Sequence, residues 1–359
     1  QPDAPRQSSA GRHFILAQRR PAASCRLSAT LDITMDILST LRARIETIEA
    51  GEHSIGLAAV LVHVETATRH LERGRTFRDE SAYTDAVYRT NQAFEGSIKE
   101  AYRVLAGKPP DRKTPHEIEQ YLEKNKVLHK RVLVLFTHYR TDWRNASAHD
   151  YTLSFNESEA YIAIVSVTAF ATVLTDQIAE RIAFLRAQTD PTLEAFKVAL
   201  LAGRKSEPLV WQVAHAVAQI GSMLSRDKHL PVLSEAQTIG AIAGLLSSGE
   251  RGYAVSVEEN LATNLRMQPD MVVRSNGEGI VVEIKRTLPS SAAIESAVNQ
   301  IEQYLAAGRL ENGLVFFAAS NPASYDLHAH ERKAGRGLVI AVVPRYSISC
   351  LLTCWRASS

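Results

Sequence analysis

The sequence predicts two unlike parts in series: an all-α helical bundle over residues 35–187, then, after a linker at 188–208, an α/β unit over 209–359. Three observations carry this expectation. Residues 54–106 and 117–187 repeat apolar side chains every three or four positions and show almost no strand pattern, the spacing that lines one face of a helix. Residues 253–343 instead hold short runs rich in Val and Ile, separated by turn residues, which is strand composition. Between the two, Pro191, Gly203, Lys205 and Pro208 interrupt either periodicity, and the apolar patch from Leu193 to Leu201 predicts one short helix inside the linker. A chain of 359 residues with 45% apolar side chains has material for two cores of ordinary size.

In the first part, Leu57, Ala58, Val60, Leu61 and Val64 begin one helical stripe. A second runs through Tyr83, Val87, Tyr88, Ala93, Phe94, Ile98, Ala101, Tyr102 and Leu105 and ends at Gly107, ahead of Pro109-Pro110. The next helix begins after Thr114-Pro115. Proline suits a first helical position, and Thr114 with Glu117 forms a capping box. Lys130 to Trp143 gives a further helix, a break covers Asn145 to Ser154, and a long apolar helix follows from about Glu157 to Leu185. Residues 1–34 are Arg-rich, poor in acids and aperiodic, and read as a disordered extension or an upstream-translated segment ahead of Met35. A targeting peptide is the other reading, against which stands the lack of a continuous apolar core.

In the second part, Leu233 to Leu246 predicts a helix and Tyr253 to Val257 a strand. Asp270 opens the run Met271-Val272-Val273, which ends in the hairpin signal Ser275-Asn276-Gly277-Glu278-Gly279. The strand that follows carries Glu283 and Lys285 on one face, with Val282 and Ile284 on the other. If Asp270 lies across the hairpin from Glu283, two carboxylates can share a hard divalent cation, and Lys285 is left to orient an attacking water. A helix from Ser290 or Ser291 to Gly308 sets Ile294, Ala297, Ile301, Tyr304 and Leu305 at helical spacing, with Gln300 and Tyr304 on one face. Gly313 to Ala319 and Leu338 to Val343 read as further strands.

Pro269-Asp270 followed by Glu283-Ile284-Lys285 resembles the signature of the PD-(D/E)XK nuclease superfamily, the restriction-endonuclease-like fold. Gln300 and Tyr304 look like the Gln-x-x-x-Tyr element of its RecB-like members. The resemblance covers roughly residues 205–350. It implies a metal-dependent DNA endonuclease in which Asp270 and Glu283 hold Mg²⁺ or Mn²⁺, Lys285 polarises the water, and Gln300 and Tyr304 support the site. Glu235 would add a carboxylate from the first core helix, with Glu258 and Glu259 as alternatives for that role. Some RecB-like nucleases carry an iron–sulfur cluster on several cysteines; Cys25, Cys350 and Cys354 lack that pattern, and no cluster is expected.

Arg144-Asn145-Ala146-Ser147-Ala148-His149 stands at the junction before the last long helix of the bundle. There it resembles the Arg-x(4–6)-His motif of HEPN ribonucleases, a likeness that covers about residues 35–187. This implies a homodimer and metal-free RNA cleavage. His149 would act as general base or acid, Arg144 would neutralise the phosphate through its planar fork, and Asn145 would position it. Asp142 and Asp150 are the neighbouring acids that could instead pair with Arg144. Together the two resemblances imply a prokaryotic anti-phage or restriction-type defence nuclease with a dimerising or RNA-cleaving helical part. Two alternatives stay open: a metal-independent ribonuclease whose C-terminal part senses DNA, and a non-catalytic nucleic-acid-binding module.

The formal net charge of +2 excludes a polycationic coat for nucleic acid. Local contacts from Lys285, Arg286, Arg309, Lys130, Arg140 and Arg144 would still weaken with salt. No base-reading motif separates DNA from RNA. Three cysteines make no disulfide framework in a chain of this length, so a reducing cytoplasm is expected. The longest apolar stretch, Tyr161 to Leu174, is short for a bilayer and interrupted by Ser166 and Thr168, so no membrane partner is expected.

Overall fold

The computed structural model describes residues 36–145, 154–201, 204, 206–226, 233–248, 253–262, 267–319, 322–333 and 335–346. The expectations for residues 1–34 and for the three cysteines lie outside them. From Asp36 onward the chain packs as one compact unit. Its first part is helical: α1 (Ile37–Glu46), α2 (Glu52–Phe77), α3 (Ser81–Val104), α4 (Pro115–Lys124) and α5 (Lys130–Tyr139), the last continuing as a π-turn over Arg140–Arg144. The long helix α6 (Glu157–Thr189) follows, then α7 (Glu194–Leu201), α8 (Leu209–Arg226) and α9 (Glu235–Ser247). The second part alternates strands with one helix: β1 (Ala254–Val257), β2 (Met271–Ser275), β3 (Glu278–Lys285), α10 (Ser291–Gly308), β4 (Asn312–Phe317), β5 (Ser324–Glu331) and β6 (Leu338–Arg345).

Local chemistry fixes several of these ends. Thr114 N donates to Glu117 Oε2 at 2.9 Å while Glu117 N donates back to Thr114 Oγ1, the capping box expected at α4. Asn156 and Glu159 close the same reciprocal pair at the start of α6. The helical core gathers on Phe94, whose ring lies 5.6 Å from Phe136, 4.8 Å from Tyr139 and 5.2 Å from Phe170. The one polar atom in that aromatic group, the Tyr139 hydroxyl, lies 2.8 Å from Thr90 Oγ1 and so is satisfied inside the core.

α6 corrects the sequence reading of an interrupted apolar stretch. Thr168, Thr172 and Thr175 each donate a hydroxyl to the carbonyl four residues back, so their polarity is absorbed within the helix. By length and composition alone this helix could cross a membrane, yet most of that stretch is buried inside the protein. It packs against α1, α2, α3 and α5 and also against α9. Phe170 and Leu174 belong to the helical core, whereas Phe184 and Ala187 pack with the core beneath the sheet. α9 lies so close to α6 that Gly244 leaves no room for a side chain: a Cβ there would sit 2.5 Å from the Phe184 carbonyl oxygen.

The sheet order is β1-β2-β3-β4-β6-β5. β1, β2 and β3 form an antiparallel meander, β3, β4 and β6 run parallel, and β5 closes the edge antiparallel to β6. Ser275 pairs with Glu278, leaving Asn276 and Gly277 as the loop with φ of 50° and 83°. Those positive angles are what a tight two-residue hairpin requires and what Asn-Gly supplies. On one face, Val282, Ile284, Leu314 and Phe316 pack with Val213, Val217, Ile220 and Ile242 of α8 and α9; on the other, Val281, Val315 and Phe317 pack with Ala297, Ile301 and Leu305 of α10. The coarse expectation of a helical first part followed by an α/β part therefore holds. α1, α8 and the edge strand β5 go beyond it.

Candidate functional site

Strand register places the two expected carboxylates side by side. Met271 pairs with Val282, so Asp270, one residue earlier, falls beside Glu283 at the end of the β2–β3 ladder. Ile284 N donates to Asp270 Oδ2 at 2.7 Å, and Asp270 N donates to Glu283 Oε2 at 3.4 Å. Each acid is thus held partly by the other strand's backbone or side chain.

Alternation along β3 puts Glu283 and Lys285 on the face covered by α10, as expected, and the helix brings the remaining groups to them. Lys285 Nζ donates to Glu283 Oε1 at 2.9 Å and to Gln300 Oε1 at 2.8 Å. Gln300 Nε2 lies 2.9 Å from Glu283 Oε1 and 2.8 Å from the Tyr304 hydroxyl. Gln300 and Tyr304 share a face because they are one helical turn apart, and their neighbours Ile301 and Leu305 anchor that turn on the sheet. Five residues from two strands and a helix therefore form one connected polar network. Glu283, at 6% exposure, is enclosed by it.

The charges are unbalanced toward the negative. Burial, and then the neighbouring Glu283 carboxylate, push the Asp270 carboxyl up to about 7, against the pull of the Ile284 N–H and of Lys285. Burial likewise raises the Tyr304 hydroxyl. An acidic pair in this state suits a hard cation, which would supply the missing positive charge through an all-oxygen donor set. Among the described residues no three His, Cys, Asp or Glu side chains converge as a ready ligand group, so the site is a pair rather than a triad. Glu235, exposed at the start of α9, adds to the rise at Asp270 through its field. The two alternatives to it are committed elsewhere. Glu259 grips Arg274 with both oxygens at 2.6 Å, and Glu258 lies 2.6 Å from Arg131 and 3.2 Å from His129.

In the helical part, Arg144 ends the π-turn and its Nη1 donates to Asn145 Oδ1 at 3.1 Å. Its Nε lies 3.7 Å from Glu119 Oε1 of α4, a carboxylate only 2% exposed, whose pKa burial raises and Arg144 lowers. Asp142, one of the acids expected to compete for Arg144, instead stands 3.2 Å from His138 Nδ1. Asp150 and His149 lie outside the described residues. Glu119 lies outside the motif in sequence, because a contact between α4 and the end of α5 leaves no local signal there. Arg140 pairs with Glu123 at 3.0 Å and lies over the Phe136 ring.

No protein-family model, no curated protein and no solved structure matches this chain.

Proposed function

We propose that the chain is a metal-dependent phosphodiesterase, an endonuclease acting on DNA, built on the PD-(D/E)XK plan, with a HEPN-like helical part. The observation that supports this reading is the connected network of Asp270, Glu283, Lys285, Gln300 and Tyr304, every residue of the resemblance within hydrogen-bond reach of another group in the site. In this reading Asp270 and Glu283 hold Mg²⁺ or Mn²⁺, with Glu235 adding negative field. The ion, when bound, supplies positive charge for the phosphoryl oxygens and makes a water more acidic. The Ile284 N–H fixes the Asp270 carboxylate. Glu283 and Gln300 hold the Lys285 ammonium in one place, where it can orient a water or neutralise a phosphate oxygen. Gln300, fixed in turn by Tyr304, is a positioning group, and Gln300→Ala is expected to lower the cleavage rate or the metal affinity about 10- to 100-fold, measured by metal titration of the reaction. The prokaryotic defence role and the homodimer belong to this proposal through the resemblances, and the cytoplasmic setting through the three cysteines.

A second reading, a metal-independent ribonuclease centred on the helical part, is favoured by one observation: Arg144 sits on a π-turn, an irregularity frequent at functional sites. Cleavage of plasmid DNA and of a structured RNA by wild type, Glu283→Gln and Arg144→Ala, each with Mg²⁺ and with EDTA, separates the two. The proposal expects DNA cleavage that chelation stops and that Glu283→Gln reduces by on the order of 1,000-fold. RNA cleavage that ignores EDTA and needs Arg144 would invert the roles. Tight binding of either nucleic acid without turnover would leave a binding module.

A further inference from the structure

Glu258 joins the helical part to Asp270. It follows β1 with a φ of 50°, a left-handed conformation that side-chain-bearing residues disfavour and glycine adopts freely. Its N–H donates to the Asp270 carbonyl at 3.1 Å, the first backbone bond beyond the β1–β2 pairs. Its carboxylate is only 13% exposed, and both groups that face it come from the helical part: Arg131 Nη2 at 2.6 Å from Oε1 and His129 Nδ1 at 3.2 Å from Oε2. Arg131 is the nearer of the two partners.

The His129 side of this contact is itself fixed. His129 stands at the residue before α5, and its backbone N–H donates to Gln177 Oε1 of α6 at 3.2 Å, while Gln177 Nε2 donates to the Val127 carbonyl at 2.9 Å. The other charged groups around them are Glu180, 3.9 Å from His129 Nε2, and Asp176, which feels Arg44, Arg131, Glu235 and Glu258. A disfavoured backbone angle is thus kept at a residue whose side chain is clamped by α5 and whose amide is bonded to Asp270. Glycine would serve the turn better, so the side chain answers a different need.

We infer that Glu258 is a positioning residue: the Arg131–Glu258 ion pair latches the end of β1 to α5 and, through the Glu258 N–H, holds the Asp270 backbone in place beside Glu283. The latch stands on geometry alone; its effect on cleavage rests on the proposed function.

Backbone hydrogen exchange on the full metal-free chain tests the latch without any activity. In Arg131→Met and Glu258→Gly, peptides covering 254–258 and 270–285 are expected to exchange about tenfold faster, with those of α3 and α10 unchanged. Arg131→Lys should restore part of the protection. Glu258→Gln, which keeps the shape and removes the charge, carries the same expectation should Arg131→Met not fold. Unchanged exchange over 270–285, an equal loss across the whole chain, or a Glu258→Gly variant protected as well as wild type would overturn the inference. In the cleavage assay Arg131→Met is expected to lower kcat about tenfold at unchanged KM. A chain that never cleaves DNA would defeat the proposed function and leave the exchange result to judge the latch.

Discussion

Asp270→Asn is expected to raise the melting temperature of the metal-free protein at pH 8 while removing on the order of 1,000-fold or more of its cleavage rate. The two effects have one origin. Folding moves the Asp270 carboxyl from 3.8 up to about 7, first by burial and then by the Glu283 charge beside it. A carboxyl raised in this way makes the folded state bind its proton more tightly than the unfolded state does. The resulting penalty is absent below pH 3.8, grows as the pH climbs toward about 7 and is complete above that. At about 1.4 kcal/mol per pKa unit it amounts to a few kcal/mol for the wild type at pH 8. Asparagine keeps an oxygen for the Ile284 N–H and carries no charge, so the variant escapes the penalty. Melts across pH 5 to 8 should show the gap between variant and wild type widening with pH. Adding Mn²⁺ at pH 8 should stabilise the wild type and leave the variant nearly unmoved, because a ligand stabilises only the form that binds it. An Asn variant that melts below wild type at pH 8 would mean that the acid pair contributes to stability and is not held against it.

Much of this site was legible in sequence because its geometry is local. Period-two alternation alone sets Glu283 and Lys285 on one face, Asn276-Gly277 fixes the hairpin register that brings in Asp270, and one helical turn aligns Gln300 with Tyr304. What holds the site in place was not legible. Arg131 and Glu258 are far apart in the chain and meet only because α5 packs near the end of β1, and Glu119 reaches Arg144 from another helix. Of the elements left unread, α1, β5 and α8, the last two fail for different reasons. β5 is an edge strand, and Tyr325-Asp326-Leu327-His328-Ala329-His330 alternates too weakly to look like one. α8 does carry apolar residues at helical spacing, Leu209, Val210, Val213, Val217 and Ile220, but they follow directly on a Pro- and Gly-bearing stretch that reads as a linker.

Gly240→Ala is expected to destabilise the protein by about 2 kcal/mol, and Gly240→Val by more, although alanine is the better helix former by about 1 kcal/mol. The sign reverses because of what lies opposite. A Cβ on Gly240 would fall inside van der Waals contact of the Glu180 backbone carbonyl on α6, and a backbone atom of a long core helix cannot swing aside as a side chain can. α9 must then move outward. Gly244 is in the same position against Phe184 one turn later, so two points of the α6–α9 contact are strained together, and with them the bond from Gln237 Nε2 to the Thr47 carbonyl at the end of α1, 2.9 Å long. Because α6 serves the Phe94 core with one end and the core beneath the sheet with the other, the helical and α/β parts should lose structure in a single transition. Urea unfolding followed through Trp143 in the helical part and Trp211 on α8, each as the sole tryptophan, checks this, and the two curves should coincide. Both should shift to lower urea in Gly240→Ala. Separate transitions in the wild type would make the α6–α9 contact a docking of independent domains. Coincident ones would mean that Glu180, His129 and Glu258, which touch one after another from this contact to Asp270, belong to the same cooperative body as the site they support.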